Sequence, residues 1–180
     1  MAEPFSIQTL TFGYDEFEDR LLLSCRTADG EDAATLMITR RMLRGLLRGA
    51  TDFLARSSPT AGRAPVDYRD DVLAMEHQGA VAKSAQAQGA SADRTPVPVQ
   101  EHRILVVKLD LEPRAGGGYQ LVLSDREGPR AGMALTRDEF HHILKTLADL
   151  ARTGGWDLDR EAGWIAPAAV APSGQGRVLS

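Results

Sequence analysis

The feature that constrains the fold most is a pattern that occurs twice in the sequence. In each occurrence a run of strand-forming residues leads to a threonine, and an amphipathic helix pattern follows. Residues 22–24 (Leu-Leu-Ser) correspond to 122–124 (Val-Leu-Ser), and 38–40 (Ile-Thr-Arg) correspond to 135–137 (Leu-Thr-Arg). The pattern predicts an α+β fold in which two βββα repeats, with mostly antiparallel strands, pack into one pseudo-two-fold domain. The alternative is a chance similarity of two amphipathic stretches.

The first unit is predicted over residues 1–56. Its β-branched and aromatic runs predict three strands, at residues 5–12, 20–27 and 34–38. Thr39 then fits the N-cap of a helix, because its hydroxyl can accept a hydrogen bond from a free amide of the first turn. The helix places its apolar residues at the spacing of one buried stripe: Leu43, Leu46, Leu47, Ala50, Phe53 and Leu54.

The second unit is predicted over residues 101–153 with the same plan. Its three strands are expected at residues 104–111, 119–124 and 130–135. Thr136 and Glu139 form the sequence signature of a capping box, in which each side chain bonds the backbone of the other residue. The helix behind the box is expected to bury Phe140, Ile143, Leu144, Leu147 and Ala151.

Between the units, residues 57–100 are predicted to be a long linker with a short helix at 67–82. The apolar content of that helix is Tyr68, Val72, Leu73, Met75 and Ala80. The Ala-, Gln- and Ser-rich stretch at 83–94 is expected to be mobile. Residues 154–180 form a tail whose last dozen residues are expected to be disordered, because they are rich in small and polar residues.

Composition excludes several classes of protein. The net charge of −4 gives no overall attraction to nucleic acid or to acidic membranes. Cys25 is the single cysteine, so an intrachain disulfide is excluded and the thiol is expected to be buried in a strand. The first residues resemble no secretory signal, and we expect a cytoplasmic protein. Three lysines among 21 basic residues indicate a GC-rich, bacterial genome.

No catalytic, phosphate-binding or dinucleotide-binding motif is present in the sequence. The four histidines are scattered, and the adjacent His141 and His142 point about 100° apart on a helix, so they cannot hold one metal ion together. We therefore expect no metal site and no cofactor, and we expect the histidines to be exposed to solvent. An enzyme would need a site assembled from residues without informative spacing: Asp19, Glu101, His102 and Tyr119.

Four arginines make the most regular polar pattern in the sequence. Arg40, Arg44 and Arg48 are spaced at i+4, and Arg41 lies three residues before Arg44, so all four lie on one side of the first predicted helix. We predict this arginine ridge as a candidate site for a polyanion or an acidic partner surface. The alternative is a solvated helix face in an arginine-rich proteome.

Three aromatic residues are candidate interaction anchors. Phe17 lies within an acidic turn, residues 15–19 (Asp-Glu-Phe-Glu-Asp), which is expected to be a solvated hairpin tip or a site for a cation or basic partner. Trp156 and Trp164 lie in the tail among Gly, Ala and Pro residues. Tryptophan is a common anchor at protein interfaces. The simpler role for Trp156 is to close the end of the second helix against the core.

These features favour a non-catalytic protein–protein interaction or scaffold module, which includes the alternative of a homodimer. The second hypothesis is nucleic-acid binding through the arginine ridge. A doubled, strand-rich unit that ends in a helix resembles the layout of the PUR-repeat proteins, and this resemblance implies single-strand binding. Those units have four strands before the helix, whereas three are predicted in this sequence. An enzyme without a recognisable motif is the third hypothesis.

Overall fold

The computed structural model describes residues 3–58, 60–88 and 102–165, and it confirms the α+β class. The stretch at 89–94 and the last dozen residues, which were predicted to be mobile and disordered, lie outside the described residues. The strands and helices are listed in chain order: β1 (Phe5–Ser6), β2 (Thr9–Asp15), β3 (Arg20–Arg26), β4 (Asp32–Ile38), α1 (Arg40–Ser57), α2 (Arg69–Gln88), β5 (Arg103–Leu105), β6 (Lys108–Pro113), β7 (Tyr119–Asp125), β8 (Gly128–Leu135), α3 (Arg137–Thr153) and α4 (Asp159–Ala162).

The described strands form two four-stranded sheets, and each sheet takes an outer strand from the other half of the chain. One sheet has the order β2-β3-β4-β5 and the other has the order β1-β8-β7-β6. β5 pairs in parallel with β4, where Ile104 lies opposite Leu36, and β1 pairs in parallel with β8, where Phe5 lies opposite Ala131. The other four pairings are antiparallel, so the prediction of mostly antiparallel strands is confirmed.

The chain crosses from one sheet to the other at residues 7 and 8. The Ile7 amide donates to the Gly132 carbonyl oxygen in one sheet (2.8 Å), and the next amide, of Gln8, donates to the Arg26 carbonyl oxygen in the other (2.8 Å). The expectation of one strand over residues 5–12 is therefore wrong, because the strand is divided where its hydrogen-bonding partner changes.

The same crossing occurs in the second half, at residues 106 and 107. The Val106 amide donates to the Met37 carbonyl oxygen (3.0 Å), and the Val107 amide donates to the Ser124 carbonyl oxygen (2.9 Å). α1 and α3 thus each follow four described strands, and the predicted βββα pattern is corrected to ββββα. The phase of the apolar alternation changes at both crossings, from positions 5 and 7 to positions 10 and 12 and from 104 and 106 to 109 and 111. This change of phase is the sequence signal for the division of each strand.

The two long helices that follow the strands begin at the predicted threonines. The Met42 amide donates to Thr39 Oγ1 (3.1 Å) at the start of α1. At α3, the Glu139 amide donates to Thr136 Oγ1 (3.2 Å) and the Thr136 amide donates to the Glu139 carboxylate (2.7 Å), so the capping box is present. α3 buries the predicted stripe, Phe140, Ile143, Leu144, Leu147 and Ala151. α1 buries four residues of its predicted stripe, Leu43, Leu47, Ala50 and Leu54, whereas Leu46 and Phe53 are only half-buried.

α2 packs against α3 and closes one side of the shared core. It runs to Gln88, six residues beyond the predicted end of the linker helix, and two short 3-10 turns precede it. The prediction of a mobile stretch at 83–94 is therefore wrong for residues 83–88, which continue the helix. Leu73 is fully buried and Ala80 nearly so. No helix within the described ranges is long and apolar enough to cross a membrane.

Because each half completes the sheet of the other, we predict that the halves fold only together. A fragment of residues 1–88 and a fragment of residues 102–180, produced separately, should each lack cooperative thermal unfolding, and an equimolar mixture should recover it by circular dichroism. Ile104 is 6% exposed at the exchanged strand, so Ile104→Asp in the second fragment should prevent recovery. Cooperative unfolding of either fragment alone would contradict the prediction.

Candidate interaction surface

The arginine ridge of α1 is covered by the chain's own C-terminal segment, which we define as residues 156–165. Arg48 forms an ion pair with Glu161 (2.7 Å), and Arg44 Nε lies 3.3 Å from the same carboxylate. Arg44 also donates to the Asp157 carbonyl oxygen (3.2 Å). The Glu161 side chain is only 6% exposed, whereas that of Arg48 is 68% exposed. The segment therefore supplies an acidic group to the surface that was predicted to attract one.

Arg40, at the start of the ridge, joins α1 to the acidic turn. Its guanidinium forms an ion pair with Asp19 (3.2 Å) and lies over the Trp156 ring, 5.3 Å from the ring centroid. Arg41 is exposed, and no ion pair to it occurs within residues 3–58, 60–88 and 102–165. The ridge thus holds three arginines with acidic partners and one that faces solvent.

Trp156 is buried, and its indole is used inside the molecule. Its Nε1 donates to Asp19, which also accepts from the Tyr14 hydroxyl (2.8 Å), and the Tyr14 and Trp156 rings meet edge to face. The hydrogen bonds from Trp156 and then Tyr14 lower the pKa of Asp19, and the bond to Asp19 raises the pKa of Tyr14. Asp19 holds a left-handed backbone (φ 51°), which the turn before β3 requires.

A glycine allows this aromatic cluster to form. A Cβ atom added to Gly154 would lie 2.6 Å from the Tyr14 ring, closer than a side chain can approach. Gly155 follows with φ 70°, and the Trp156 amide donates to the Ala151 carbonyl oxygen (2.8 Å), which closes the end of α3. The chain therefore turns back toward α1 immediately after α3.

Trp164 is half-buried where α1, α2 and α3 meet. Its Nε1 donates to Thr51 Oγ1 on α1 (2.8 Å). Its ring lies edge to face with His77 on α2 and with His141 on α3, at centroid distances of 5.3 and 5.9 Å. Both tryptophans therefore act as intramolecular contacts in this arrangement, and their role as anchors for a partner stays a prediction.

Two of the four histidines form a buried pair, so the expectation that the histidines are solvent-exposed is wrong for them. His77 and His141 are 3% and 1% exposed, and their Nδ1 atoms lie 3.3 Å apart. The sequence hid this pair, because the two residues are 64 positions apart and one lies in the predicted linker. A signal was available in the helical spacing, since His77 lies four residues after Leu73 and three before Ala80.

The acidic turn is partly neutralised by a residue from the second half. Arg103 donates to Glu18 (2.7 Å) and lies 3.5 Å from Asp15, whose carboxylate also accepts from the Phe17 amide (3.0 Å). The Phe17 side chain itself is 93% exposed. No group of three metal-ligating side chains occurs in the described part of the chain. The turn therefore exposes the Phe17 ring, while most of its carboxylates are paired with arginines.

Three exposed apolar side chains lie between the 3-10 turn before α2 and the first half of α2, where the sequence indicates only a linker helix. Val66, Tyr68 and Met75 are 74%, 61% and 73% exposed. Val66 and Tyr68 belong to the 3-10 turn immediately before α2, and Met75 lies on the first half of α2, two residues after the buried Leu73. We call these three residues the α2 apolar face. The sequence places Tyr68, Leu73 and Met75 in one apolar set and does not separate the buried side from the exposed one.

An open cleft of about 670 Å³ lies beside the α2 apolar face. Its walls come from α1, α2 and the C-terminal segment, and they include Asp52, Asp70, Asp71 and Trp164. Asp70 and Asp71 lie in the first turn of α2, where a negative charge stabilises the helix dipole. The cleft combines an aromatic wall with carboxylates and with two arginines, Arg48 and Arg160.

A polar network fixes α2 against the rest of the molecule. Arg137, at the start of α3, donates to Glu76 on α2 (2.6 Å), to the Tyr119 hydroxyl (2.7 Å) and to the Leu54 carbonyl oxygen of α1 (3.1 Å). It also donates to Ser57 Oγ (3.0 Å). One guanidinium therefore joins all three long helices and β7, which a lysine with its single ammonium cannot do.

The residues considered for an enzyme are not brought together within the described ranges. Asp19 bonds Tyr14, Trp156 and Arg40, and Tyr119 bonds Ser57 and Arg137. His102 is exposed at the start of β5, and Glu101 lies outside the described residues. Cys25 is buried as expected, and burial raises the pKa of its thiol to about 12. A thiol with that pKa is protonated at neutral pH and is a poor nucleophile.

The chain matches no protein-family model, no curated protein and no solved structure.

Because Arg137 joins three helices, we predict that Arg137→Lys lowers the free energy of unfolding by about 1–2 kcal/mol, since several of its hydrogen bonds are lost. Urea denaturation followed by circular dichroism measures the change. Arg152→Lys is the matched control, because Arg152 is half-exposed on the same helix and, within the described residues, forms an ion pair with Asp149 alone. The control should change the free energy by less than about 0.5 kcal/mol. Equal effects of the two variants would contradict the assignment.

Proposed function

We propose that this protein is a non-catalytic protein–protein interaction module of a bacterial cytoplasm and that its partner docks on the α2 apolar face. The observation that carries the proposal is the exposure of Val66 and Tyr68 in the 3-10 turn before α2 and of Met75 on α2, whose other side is already packed. Clustered apolar residues on a surface are typical of interaction sites, and tyrosine and methionine are enriched there.

The charges around the α2 apolar face indicate the chemistry of the partner. Asp67 and Asp71 are exposed beside Tyr68, and Asp71 lies four residues before Met75 on the same helix side. Arg69 is turned toward the backbone, where its Nε donates to the Ala64 carbonyl oxygen. The surface is therefore apolar with an acidic rim, and it suits a partner protein that presents an apolar side chain flanked by lysine or arginine.

We also infer that the two halves arose by duplication, which fits a scaffold role. Ile7 and Val106 are both buried and both bond across to the sheet of the other half, and each precedes a residue that bonds back to its own half. The two crossings lie 99 residues apart. A second copy of the chain remains an alternative partner for the same face.

Removing the α2 apolar face should abolish partner binding without affecting folding. The variant Tyr68→Ser with Met75→Ser changes only exposed side chains, and Phe17→Ser is the control, since Phe17 is exposed at a different place. Capture from the source cells should yield a protein that the control retains and the double variant loses. With that protein purified, calorimetry should show at least about tenfold weaker binding to the double variant.

Equal affinity of the wild type and the double variant would contradict this surface assignment. Sedimentation of the purified wild type and double variant separates the two kinds of partner. A concentration-dependent dimer that only the wild type forms would identify a second copy of the chain as the occupant.

Nucleic-acid binding is the second candidate, and two observations favour it. Arg41 is exposed without an ion pair in the described ranges, and four strands precede each helix, as in the PUR-repeat layout. The ion pairs of Arg44 and Arg48 with Glu161 weigh against it, because phosphates would have to displace that carboxylate.

If nucleic acid binds the arginine ridge, Arg41→Glu with Arg48→Glu should abolish retention of labelled single-stranded DNA in a gel-shift assay at low salt. Arg152→Glu on α3 is the control, and it should leave retention unchanged. An absence of retention by the wild type at low salt would exclude this candidate, since electrostatic binding is strongest under that condition.

A further inference from the structure

The buried histidine pair joins two helices that come from different parts of the chain. His77 extends from α2 and His141 extends from α3, and their Nδ1 atoms lie 3.3 Å apart. An imidazole pair at this distance shares one proton, so one Nδ1 donates and the other accepts while both rings are neutral. The contact therefore depends on the protonation of both rings.

The surroundings of the pair do not support a positive charge. Both rings are at least 97% buried, and Nε2 of each ring is buried without a hydrogen-bond partner in the described part of the chain. Both rings also pack nearly perpendicular to the Trp164 indole, which is apolar at this contact and offers no compensating charge. A charge placed in such a site loses its hydration without compensation.

The charged groups that act on the pair come from α2 and α3, and they are largely paired with one another. These groups are Glu76 on α2 and Arg137, Asp138, Lys145 and Asp149 on α3. Glu76 pairs with Arg137, Asp149 with Lys145, and Asp138 with Lys83 of α2. Every one of the carboxylates therefore already has a cation and offers little compensation for an imidazolium.

We propose that the His77–His141 pair is an acid-sensitive latch, which holds α2 and Trp164 on α3 when both rings are neutral and releases them when the rings are protonated. A first proton places a charge in the dry site. A second proton leaves an N–H on both facing Nδ1 atoms, so their hydrogen bond is broken. This proposal does not depend on the proposed function, because it concerns the packed side of α2.

The direction of the pH effect follows from the two states of the rings. Burial lowers the pKa of both His77 and His141 from 6.5 to about 4, whereas released rings regain ordinary values. Between pH 4 and pH 6.5 the released state therefore binds more protons than the packed state does. Each pH unit of acidification in that window favours release by about tenfold for each histidine, and the stability contributed by the neutral pair is fully present only above pH 6.5.

Hydrogen exchange measured by mass spectrometry from pH 7 to pH 4.5, corrected for intrinsic exchange rates, tests the latch in the full chain. Peptides of α2 and of residues 156–165 should lose protection on acidification, and peptides of β3 and β7 should keep it. The loss should reverse when the pH is returned to 7. Simultaneous loss of protection in all peptides would overturn the proposal, because it would show global unfolding instead of release.

His77→Phe with His141→Phe replaces the pair by rings that cannot take up a proton, so α2 should keep its protection at pH 4.5. His142→Gln, on the same helix and half-buried, is the matched control and should behave as the wild type. Carboxylates are common to all three proteins, so the difference isolates the two imidazoles. Release of α2 at the same pH in the double variant and the wild type would overturn the proposal.

A second measurement needs no variant. In an NMR titration of the wild-type histidine ring protons, the rings of His77 and His141 should stay neutral until the pH falls below 6 and should then change together with the α2 amide signals. Titration of these two rings between pH 6 and 7, with unchanged α2 signals, would overturn the proposal.

Discussion

The exchange of outer strands between the two halves is the constraint on which the rest of the structure depends. At residues 7–8 and 106–107 the backbone donates successive hydrogen bonds to different sheets, so neither sheet is complete without the other half. Each exchanged strand is short, but it covers the end of a core that both halves share. The helices and the C-terminal segment pack on these two sheets.

Two charged segments of the sequence, the arginine ridge and the acidic turn, form ion pairs with other residues of the same chain. The arginine ridge receives Glu161 and Asp19, and the acidic turn receives Arg103 from the second half. In each of these ion pairs at least one side chain is 45% exposed or more, so each pair contributes little to stability by itself. Their effect is on specificity, because they direct the C-terminal segment to α1 and reduce the charge available to an external ligand.

α2 has one side packed against the rest of the molecule and one side exposed to solvent. Its packed side carries Leu73 and His77, and the Arg137 network fixes it to α3 and to the end of α1. Its exposed side carries Met75, and Tyr68 is exposed immediately before the helix. The exposed Met75 and the polar His77 both weaken the contrast between the two sides, so the stripe of Leu73, His77 and Ala80 is less distinct in the sequence than the stripes of α1 and α3.

The sequence by itself determined the local structure of this protein. Threonine caps at residues 39 and 136, the helical spacing of buried leucines and the alternation of strand residues are short-range properties, so the α+β class and the long helices follow from them. Cys25 was likewise expected to be buried from its strand position alone.

The tertiary structure decided what depends on distant residues. Three features involve positions that are tens of residues apart. They are the change of pairing partner within two predicted strands, the contact of His77 with His141, and the ion pair between Glu161 and the arginine ridge. Residue patterns report burial and local geometry, but they do not report which distant backbone or side chain supplies the partner. The candidate surface on α2 became visible only when the packed side of the helix was known.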